Sequence, residues 1–283
     1  MDRTTEPRAF IIGDPVGHSR SPLIHRHWLE GAGLAGRYDP VAVAAADLPA
    51  FVAALKDGSS GFCGGNVTIP HKEAILGLVD EADSTARDIG AANTLWLENG
   101  RLMATNTDSH GFAANLDDAA PGWDNGRTAI ILGAGGACRA VIHALLNRGF
   151  AAIAVANRTV ARAQALADQF GPRVRAHGMD RLQDLVKGAD LFINTTPLGM
   201  GGTETPHIDF TVMADTALVT DIVYVPLETP LLAMAKRQGL ATADGLGMLL
   251  HQAVPGFEKW FGVRPQVTPE LRQLLIADME AKA

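Results

Sequence analysis

The stretch TAIILGAGGACRAVIHALLNRGFAAIAVANRT, residues 128–159, decides the fold. It begins with an apolar run at 128–132 that is typical of a strand buried inside a parallel sheet. Glycines at 133 and 135 lead into an amphipathic pattern that reaches about Arg148, and a second apolar run covers 152–156. This order of strand, glycine turn, helix and strand predicts a βαβ unit whose helix start accommodates a pyrophosphate.

The residues after the second strand of this unit favour NADP over NAD. A fold that prefers NAD has Asp or Glu there to bind the ribose 2′-hydroxyl, whereas this chain has Asn157, Arg158 and Thr159. Arg162 follows Arg158 by four residues, so a helix through both would place their guanidinium groups on one face. Arginine forks suit phosphate oxygens. The alternative is a solvated arginine pair on a surface helix.

Apolar and amphipathic segments alternate along most of the chain, which predicts an α/β fold. The Asn99-Gly100 pair predicts a type I′ β-hairpin between 94–98 and 101–104. Pro255 is expected to kink or split the last long helix. The other predicted strands are 9–12, 41–43, 65–69, 190–194 and 217–222, and the other predicted helices are 22–30, 48–56, 72–78, 160–170, 231–238, 244–260 and 269–281.

Composition and charge exclude several classes of protein. The 283 residues suffice for two domains, and 47% hydrophobic with 19% charged residues describe a folded globular chain. A net charge of −7 without a basic stripe argues against a nucleic-acid partner. No apolar stretch is long enough to span a bilayer, and the start MDRTTEP is too polar for a signal peptide. With only two cysteines, these features predict a cytoplasmic location.

Two polar runs end where predicted strands end, NVTIPHK at 66–72 and TNTD at 105–108. Asn66 and Thr68 are two residues apart, so an extended backbone points both side chains to one face. Pro70 suits a first helical turn, which puts Lys72 just beyond the strand end, where open α/β sheets bind ligands. With the Asp108 carboxylate, this set suits a small molecule rich in hydroxyls. The alternative for Lys72 is a solvated helix residue.

Other polar residues are placed to join such a site. Ser19 and Ser21 precede a helix and could hold a carboxylate, although Ser21 could equally cap that helix. Asn93 could bind a hydroxyl or make an Asx-turn. Gln252 interrupts an apolar helical run, and Tyr224 follows a predicted strand near the cofactor end.

Metal binding and thiol chemistry are the competing uses of a few residues. His18, His25 and His27 do not share a helix face, and no cysteine or acid joins them, so we predict no metal. Cys138 near a helix start could have a lowered pKa, although a small packing residue is the plainer interpretation.

Seven motifs together resemble those of the shikimate dehydrogenases, in the same order and over nearly the whole chain. They are GHSRSP (17–22), NVTIPHK (66–72), GAANT (90–94), NTD (106–108), GAGGA (133–137), NRT (157–159) and DGLGMLLHQ (244–252).

This resemblance implies an α/β protein of two domains: a substrate domain with a mainly parallel sheet, 1–108 and 239–283, and a Rossmann-like NADP-binding domain, 109–238. It implies reversible reduction of 3-dehydroshikimate to shikimate with NADPH, on the route to chorismate and the aromatic amino acids. Lys72 and Asp108 would be the catalytic pair in a monomer or homodimer. Substrate would contact Ser19, Ser21, Asn66, Thr68, Asn93, Tyr224 and Gln252. Cofactor would contact Gly133, Ala134, Gly135, Gly136, Ala137, Asn157, Arg158, Thr159, Arg162, Thr195 and Gly245.

Alternatives remain within and outside this family. Relatives that use quinate tend to carry Thr where this chain has Ser21, and they often prefer NAD, so Ser21 with Arg158 favours shikimate and NADP. Ser109 and His110 follow Asp108 where many relatives have Gly. A silent nucleotide-binding relative should have lost Lys72 or Asp108, and this chain has both. A dehydrogenase of the methylenetetrahydrofolate type is the third alternative.

Overall fold

The computed structural model describes residues 6–282, which form two compact units. The first unit combines both ends of the chain, up to Thr107 and from Gln252 onward, and the second unit runs from Asp108 to His251. The sequence-based division places the second domain boundary after residue 238. In the structure, the chain passes from the second unit back to the first between residues 251 and 252, inside a helix.

The first unit is built on a six-stranded sheet of order β2-β1-β3-β5-β6-β4. Three strand pairs are parallel, and the two pairs that β5 makes are antiparallel. The sheet is therefore mainly parallel, as predicted. Its strands are β1 (Arg8–Gly13), β2 (Arg37–Ala42), β3 (Gly64–Val67), β4 (Glu81–Ala82), β5 (Thr94–Glu98) and β6 (Arg101–Thr105).

Helices cover both faces of this sheet because neighbouring residues of β1 point to opposite sides. Phe10 and Ile12 belong to one buried apolar cluster, and Ala9 and Ile11 belong to another. The helices of this unit are α1 (Ser21–Gly31), α2 (Leu48–Lys56), α3 (Ser84–Ile89), the end of α9 (Leu246–Phe261) and α10 (Pro269–Ala281).

The predicted hairpin is confirmed, since β5 and β6 pair with Glu98 opposite Arg101. Asn99 and Gly100 have φ angles of 52° and 76°, the left-handed pair that a type I′ turn requires.

The second unit contains a six-stranded sheet of order β12-β11-β10-β7-β8-β9, in which every pair is parallel. Its strands are β7 (Thr128–Leu132), β8 (Ala152–Ala156), β9 (Val174–His177), β10 (Leu191–Asn194), β11 (Leu218–Asp221) and β12 (Ala241–Ala243). Its helices are α4 (Asp108–Ala119), α5 (Gly136–Asn147), α6 (Val160–Phe170), α7 (Leu182–Leu185) and α8 (Pro230–Arg237).

This strand order is the doubly wound Rossmann arrangement, which confirms the predicted fold class. The order reverses between β7 and β10, and open α/β sheets bind ligands at the carboxyl ends beside such a reversal. Both faces are buried, because Ile131 and Ile153 pack in one apolar cluster while Ile130 and Phe192 pack in another.

Several local predictions differ from the structure. The helix predicted over 72–78 is a short 3₁₀ turn at Ala74–Gly77, and Pro70 lies in a turn that the His71 amide closes by donating to the Thr68 carbonyl. β9 and β12 were not predicted because three or four residues carry too little periodicity. α9 continues through Pro255 without being split. Within residues 6–282, no helix has both the length and the apolar character that crossing a membrane requires.

Candidate functional site

In the first unit, the loops after β1 and β3 are tied together at the carboxyl ends of their strands. The Asp14 amide donates to the Ile69 carbonyl over 3.1 Å, and the Thr68 amide donates to the Ile12 carbonyl over 2.8 Å. A Cβ atom on Gly13 would lie 2.5 Å from the Thr68 methyl carbon, so only glycine permits this approach. Thr68 is therefore fixed beside the loop that carries Ser19 and Ser21.

The two serines are neighbours, but neither caps the helix that follows. The Ser21 amide donates to Ser19 Oγ over 3.3 Å, and Ser21 is the buried first residue of α1. Arg20 occupies the N-cap position without a side-chain cap bond. The structure therefore does not support the capping alternative for Ser21.

Asn66 is buried, and its side-chain amide makes three hydrogen bonds. Its Nδ2 donates to the Asn93 carbonyl over 3.0 Å and to Thr94 Oγ1 over 3.1 Å. Its Oδ1 accepts a hydrogen bond of 2.6 Å from the Tyr38 hydroxyl. No role for Tyr38 was predicted from the sequence. The one available signal was the rarity of tyrosine, since the chain has only two.

Asn93 is the second buried amide of this group. Its Oδ1 accepts hydrogen bonds from the Thr107 amide over 2.8 Å, from Thr107 Oγ1 over 3.1 Å and from Thr94 Oγ1 over 2.9 Å. An Asx-turn would instead bond the backbone two residues on. The contact with Thr107, at the end of β6, therefore replaces the Asx-turn alternative.

The backbone of Lys72 joins the same group, because its carbonyl accepts from the Ala92 amide over 2.8 Å. Lys72 is half-buried, and Gln252 is buried on α9. Asp108 is the buried first residue of α4, directly after Thr107 in the chain. The structure thus places Asn66, Thr68, Lys72 and Asn93 around the ends of β3 and β5.

In the second unit, the glycine loop lies at the reversal of strand order. Gly133 has φ of 104°, and its Cβ would lie 2.5 Å from the methyl carbon of Thr196 after β10. Gly135 is the N-cap of α5, and Cβ atoms on Gly135 or Gly136 would meet open space. The start of α5 is therefore accessible to a pyrophosphate, which fits an NADP site.

Two predicted cofactor residues hold this loop in shape. Thr195 Oγ1 donates to the Leu132 carbonyl over 3.0 Å, at the end of β7. Asn157 Oδ1 accepts from the Ala134 amide over 3.2 Å, and Asn157 Nδ2 donates to the Thr159 carbonyl over 2.8 Å. Asn157 therefore connects the glycine loop to the start of α6.

The two predicted phosphate-binding arginines are both exposed at that start, but they do not lie on one helix. Thr159 is the N-cap with an extended backbone, so α6 begins at Val160 and Arg158 precedes it. The predicted placement of Arg158 and Arg162 on one helix face was wrong for this reason. Arg158 still immediately precedes the N-cap, and Arg162 lies in the first turn of α6, where an anion is favoured.

A buried carboxylate that the sequence analysis missed organises the loop after β11. Asp221 accepts hydrogen bonds from Asn194 Nδ2 (2.9 Å), the Val223 amide (2.9 Å) and Thr229 Oγ1 (2.8 Å). Tyr224 follows directly in this loop. A Cβ on Gly245 would lie 2.5 Å from the Ile222 carbonyl oxygen, so Gly245 packs against the same backbone.

Asp221 is expected to make stability depend on pH. Burial raises the pKa of Asp221 to about 6 from an ordinary value of 3.8, so between those values the folded state binds more protons than the unfolded state. The contribution of its protonated form is fully present below pH 3.8 and is lost as the pH rises through about 6. A shift of about two pKa units corresponds to about 3 kcal/mol.

The near-isosteric Asp221→Asn variant imitates the protonated form. Its unfolding free energy relative to the wild type should therefore increase by about 3 kcal/mol between pH 4 and pH 7. Urea unfolding of both proteins at each pH measures this difference. A difference that does not change with pH would show that Asp221 titrates normally.

Cys138 and His25 are both packed in the interior of the protein. Burial raises the pKa of Cys138 to about 12, which contradicts a lowered pKa and supports the packing interpretation. His25 is buried between aromatic rings. Within residues 6–282, no group of three or more His, Cys, Asp or Glu side chains could hold a metal ion.

Family models of known proteins match segments of both structural units. The model of the shikimate dehydrogenase substrate binding domain matches residues 11–95, that of shikimate / quinate 5-dehydrogenase matches 120–205, and that of the shikimate 5′-dehydrogenase C-terminal domain matches 245–275. The shikimate dehydrogenase (NADP(+)) of Rhizobium etli is 60% identical over 278 residues, which are 98% of each chain.

Solved structures of similar dehydrogenases also match nearly the whole chain. The shikimate 5-dehydrogenase of Thermus thermophilus in complex with NADP(H) and shikimate has a TM-score of 0.83 at 35% identity, over 96% of this chain and 99% of that one. The quinate dehydrogenase of Corynebacterium glutamicum in complex with NAD has a TM-score of 0.86 at 32% identity, over the same shares.

The Rossmann sheet with its open glycine loop, together with these relatives, defines an NADP-dependent oxidoreductase. Within that class, the chain belongs to the shikimate dehydrogenase family.

Proposed function

We propose that this chain catalyses the reversible, NADP-dependent reduction of 3-dehydroshikimate to shikimate, with Lys72 and Asp108 as its acid–base pair. The observation that carries the proposal is the buried network of Asn66, Asn93 and Thr107, which fixes two amides beside the Lys72 backbone. Amides and hydroxyls in such an arrangement match a ring bearing several hydroxyl groups. The name and the 60% identity of the Rhizobium etli relative support the same reaction.

The chemistry requires a proton donor from the protein. When bound, the nicotinamide supplies or accepts the hydride. Lys72 then donates a proton to the ketone oxygen during reduction and takes it back from the alcohol during oxidation. Asp108 orients the lysine and a substrate hydroxyl. Asp108 directly follows Thr107, whose backbone amide donates to Asn93 Oδ1, and Asp108 begins α4. The backbone before and after Asp108 is therefore held in place.

In this proposal, Ser21 favours shikimate over quinate, and Arg158 and Arg162 favour NADP over NAD. Ser21 is 4% exposed, so the extra methyl group of a threonine has little room there. Relatives that use quinate tend to have that threonine. The chain is also similar to a quinate dehydrogenase that was solved with NAD, so quinate oxidation is the second candidate function.

A steady-state assay tests the proposal directly. NADP reduction by shikimate should exceed both NADP reduction by quinate and NAD reduction by shikimate in kcat/KM. Preference for quinate with NAD would establish the second candidate. Absence of turnover with every pair, despite NADP binding by the folded protein, would indicate a nucleotide-binding relative without activity.

We also propose that the protein acts in the cytoplasm as a monomer or homodimer. Neither Cys63 nor Cys138 is in a disulfide. Burial raises the pKa of the Cys63 thiol to about 11 and the pKa of the Cys138 thiol to about 12, so both remain thiols at neutral pH. Two unpaired cysteines suit a reducing compartment. Fractionation of cells and the molar mass of the purified protein in solution would test these two points.

A further inference from the structure

Tyr38 is a buried residue of β2 that none of the predicted roles includes. Register places Tyr38 beside Ala9, and Asn66 beside Ile11, so all four side chains lie on one face of the sheet. The Tyr38 hydroxyl reaches across β1 and donates to Asn66 Oδ1 over 2.6 Å. Burial raises the pKa of Tyr38 well above its usual value, which keeps this hydroxyl protonated and able to donate.

The hydrogen bonds of Asn66 determine what its amide can offer to a ligand. Both N–H groups of Nδ2 are used, one by the Asn93 carbonyl and one by Thr94. Oδ1 has two lone pairs, and Tyr38 occupies one of them. The amide can therefore receive a ligand hydroxyl only as an acceptor, through the second lone pair of Oδ1.

The ring of Tyr38 is held in place from one side by His25. The two rings are stacked, with centroids 3.9 Å apart and planes 14° apart. Burial lowers the pKa of His25 to about 3, so the imidazole is neutral. Asn66 lies close enough to oppose this shift, yet neither ring nitrogen of His25 reaches hydrogen-bonding geometry. His25 therefore does not compete with Tyr38 for Asn66 Oδ1.

Tyr38 also connects Asn66 to the predicted carboxylate site. Its ring stacks on His25, which lies one helical turn after Ser21 on α1, and Ser21 and His25 are both buried. A single buried phenol thus donates to a residue predicted to hold a ring hydroxyl, and it packs on the helix that begins with a residue predicted to hold the substrate carboxylate.

We propose that Tyr38 is a positioning residue that holds the Asn66 amide as a hydrogen-bond acceptor for a ring hydroxyl of the substrate. The proposal rests on the function proposed above. It makes Asn66 selective for a substrate that has a donor hydroxyl at that place, and it predicts that the effect of Tyr38 passes through Asn66.

A double-mutant cycle on shikimate oxidation tests this. Tyr38→Phe removes only the hydroxyl and should raise the KM for shikimate by about five- to tenfold, as expected for one buried hydrogen bond. The KM for NADP should not change and kcat should change less than the KM. In an Asn66→Ala background, Tyr38→Phe should have almost no further effect on the KM for shikimate, because coupled residues are not additive.

Trp28→Phe is the matched control. Trp28 packs in the same aromatic cluster, 5.7 Å from the His25 ring, and donates one partly buried hydrogen bond of 3.0 Å to the Gln266 carbonyl. It should lower the melting temperature about as Tyr38→Phe does, with an unchanged KM for shikimate. An equal rise in KM for both variants, or effects of Tyr38→Phe and Asn66→Ala that simply add, would overturn the positioning role.

A second measurement does not depend on how the variants fold. In a crystal structure of the wild type with shikimate, a ring hydroxyl should lie within 3.2 Å or so of Asn66 Oδ1, with Nδ2 still bonded to Asn93 and Thr94. A shikimate hydroxyl bound by Nδ2 would refute the proposal. Wild-type protein that does not oxidise shikimate at all would instead refute the proposed function.

Discussion

Replacing Lys72 with alanine is expected to lower kcat by about 10²–10⁴-fold, the usual contribution of a general acid–base group. The KM for shikimate should change little, because the amides and hydroxyls that we assign to substrate binding remain. Steady-state kinetics of shikimate oxidation with purified, folded protein measure both quantities.

Two further variants separate proton transfer from charge. Lys72→Arg keeps a positive charge, but an arginine side chain does not release its proton in a protein. It should therefore be nearly as impaired as Lys72→Ala. Lys56→Ala is the control, since Lys56 forms a partly exposed ion pair of 2.6 Å with Asp80 on the same unit and has no assigned role. Near-normal turnover of Lys72→Ala would remove the lysine from the mechanism, and a large rise in KM alone would make it a binding residue.

The second large effect is expected at the cofactor site. Replacing Arg158 and Arg162 together by alanine should weaken NADP binding by about 10²-fold or more, because each charge-assisted bond to a phosphate contributes about 1.5–3 kcal/mol. NAD lacks that phosphate, so its binding should change much less. Titration with each dinucleotide, and the ratio of the two kcat/KM values, measures the change in preference.

A charge-matched control excludes a general electrostatic effect. Arg127→Ala with Arg237→Ala also removes two exposed positive charges from the second unit. Arg127 immediately precedes β7, at the opposite end of that strand from the glycine loop, and Arg237 ends α8 before the short connection to β12. The control should keep the NADP preference. If both double variants lose NADP affinity equally, the loss reflects net charge rather than a phosphate site at Arg158 and Arg162.

Much of the second unit could be predicted because its signals are local. The runs at 128–132 and 152–156 are apolar throughout, and β7 and β8 have these bounds. The glycine loop, the Asn-Gly hairpin turn and α6 follow from residues adjacent in the chain. Local patterns failed at 72–78, where helical propensity was assumed from Pro70. There the His71 ring is buried with Nε2 2.7 Å from the Val43 carbonyl, which holds the segment in a turn.

The sequence by itself determined the fold class, the family resemblance and the residue types of the candidate site, since these depend on composition, periodicity and the order of short motifs. Only the tertiary structure decided how those residues are held. Tyr38 meets Asn66 because β1 lies between β2 and β3 in a fixed register. Asp221 meets Asn194 because β10 and β11 are neighbours. Such contacts join residues that are distant in sequence, and they follow from strand order and register, which no local pattern encodes.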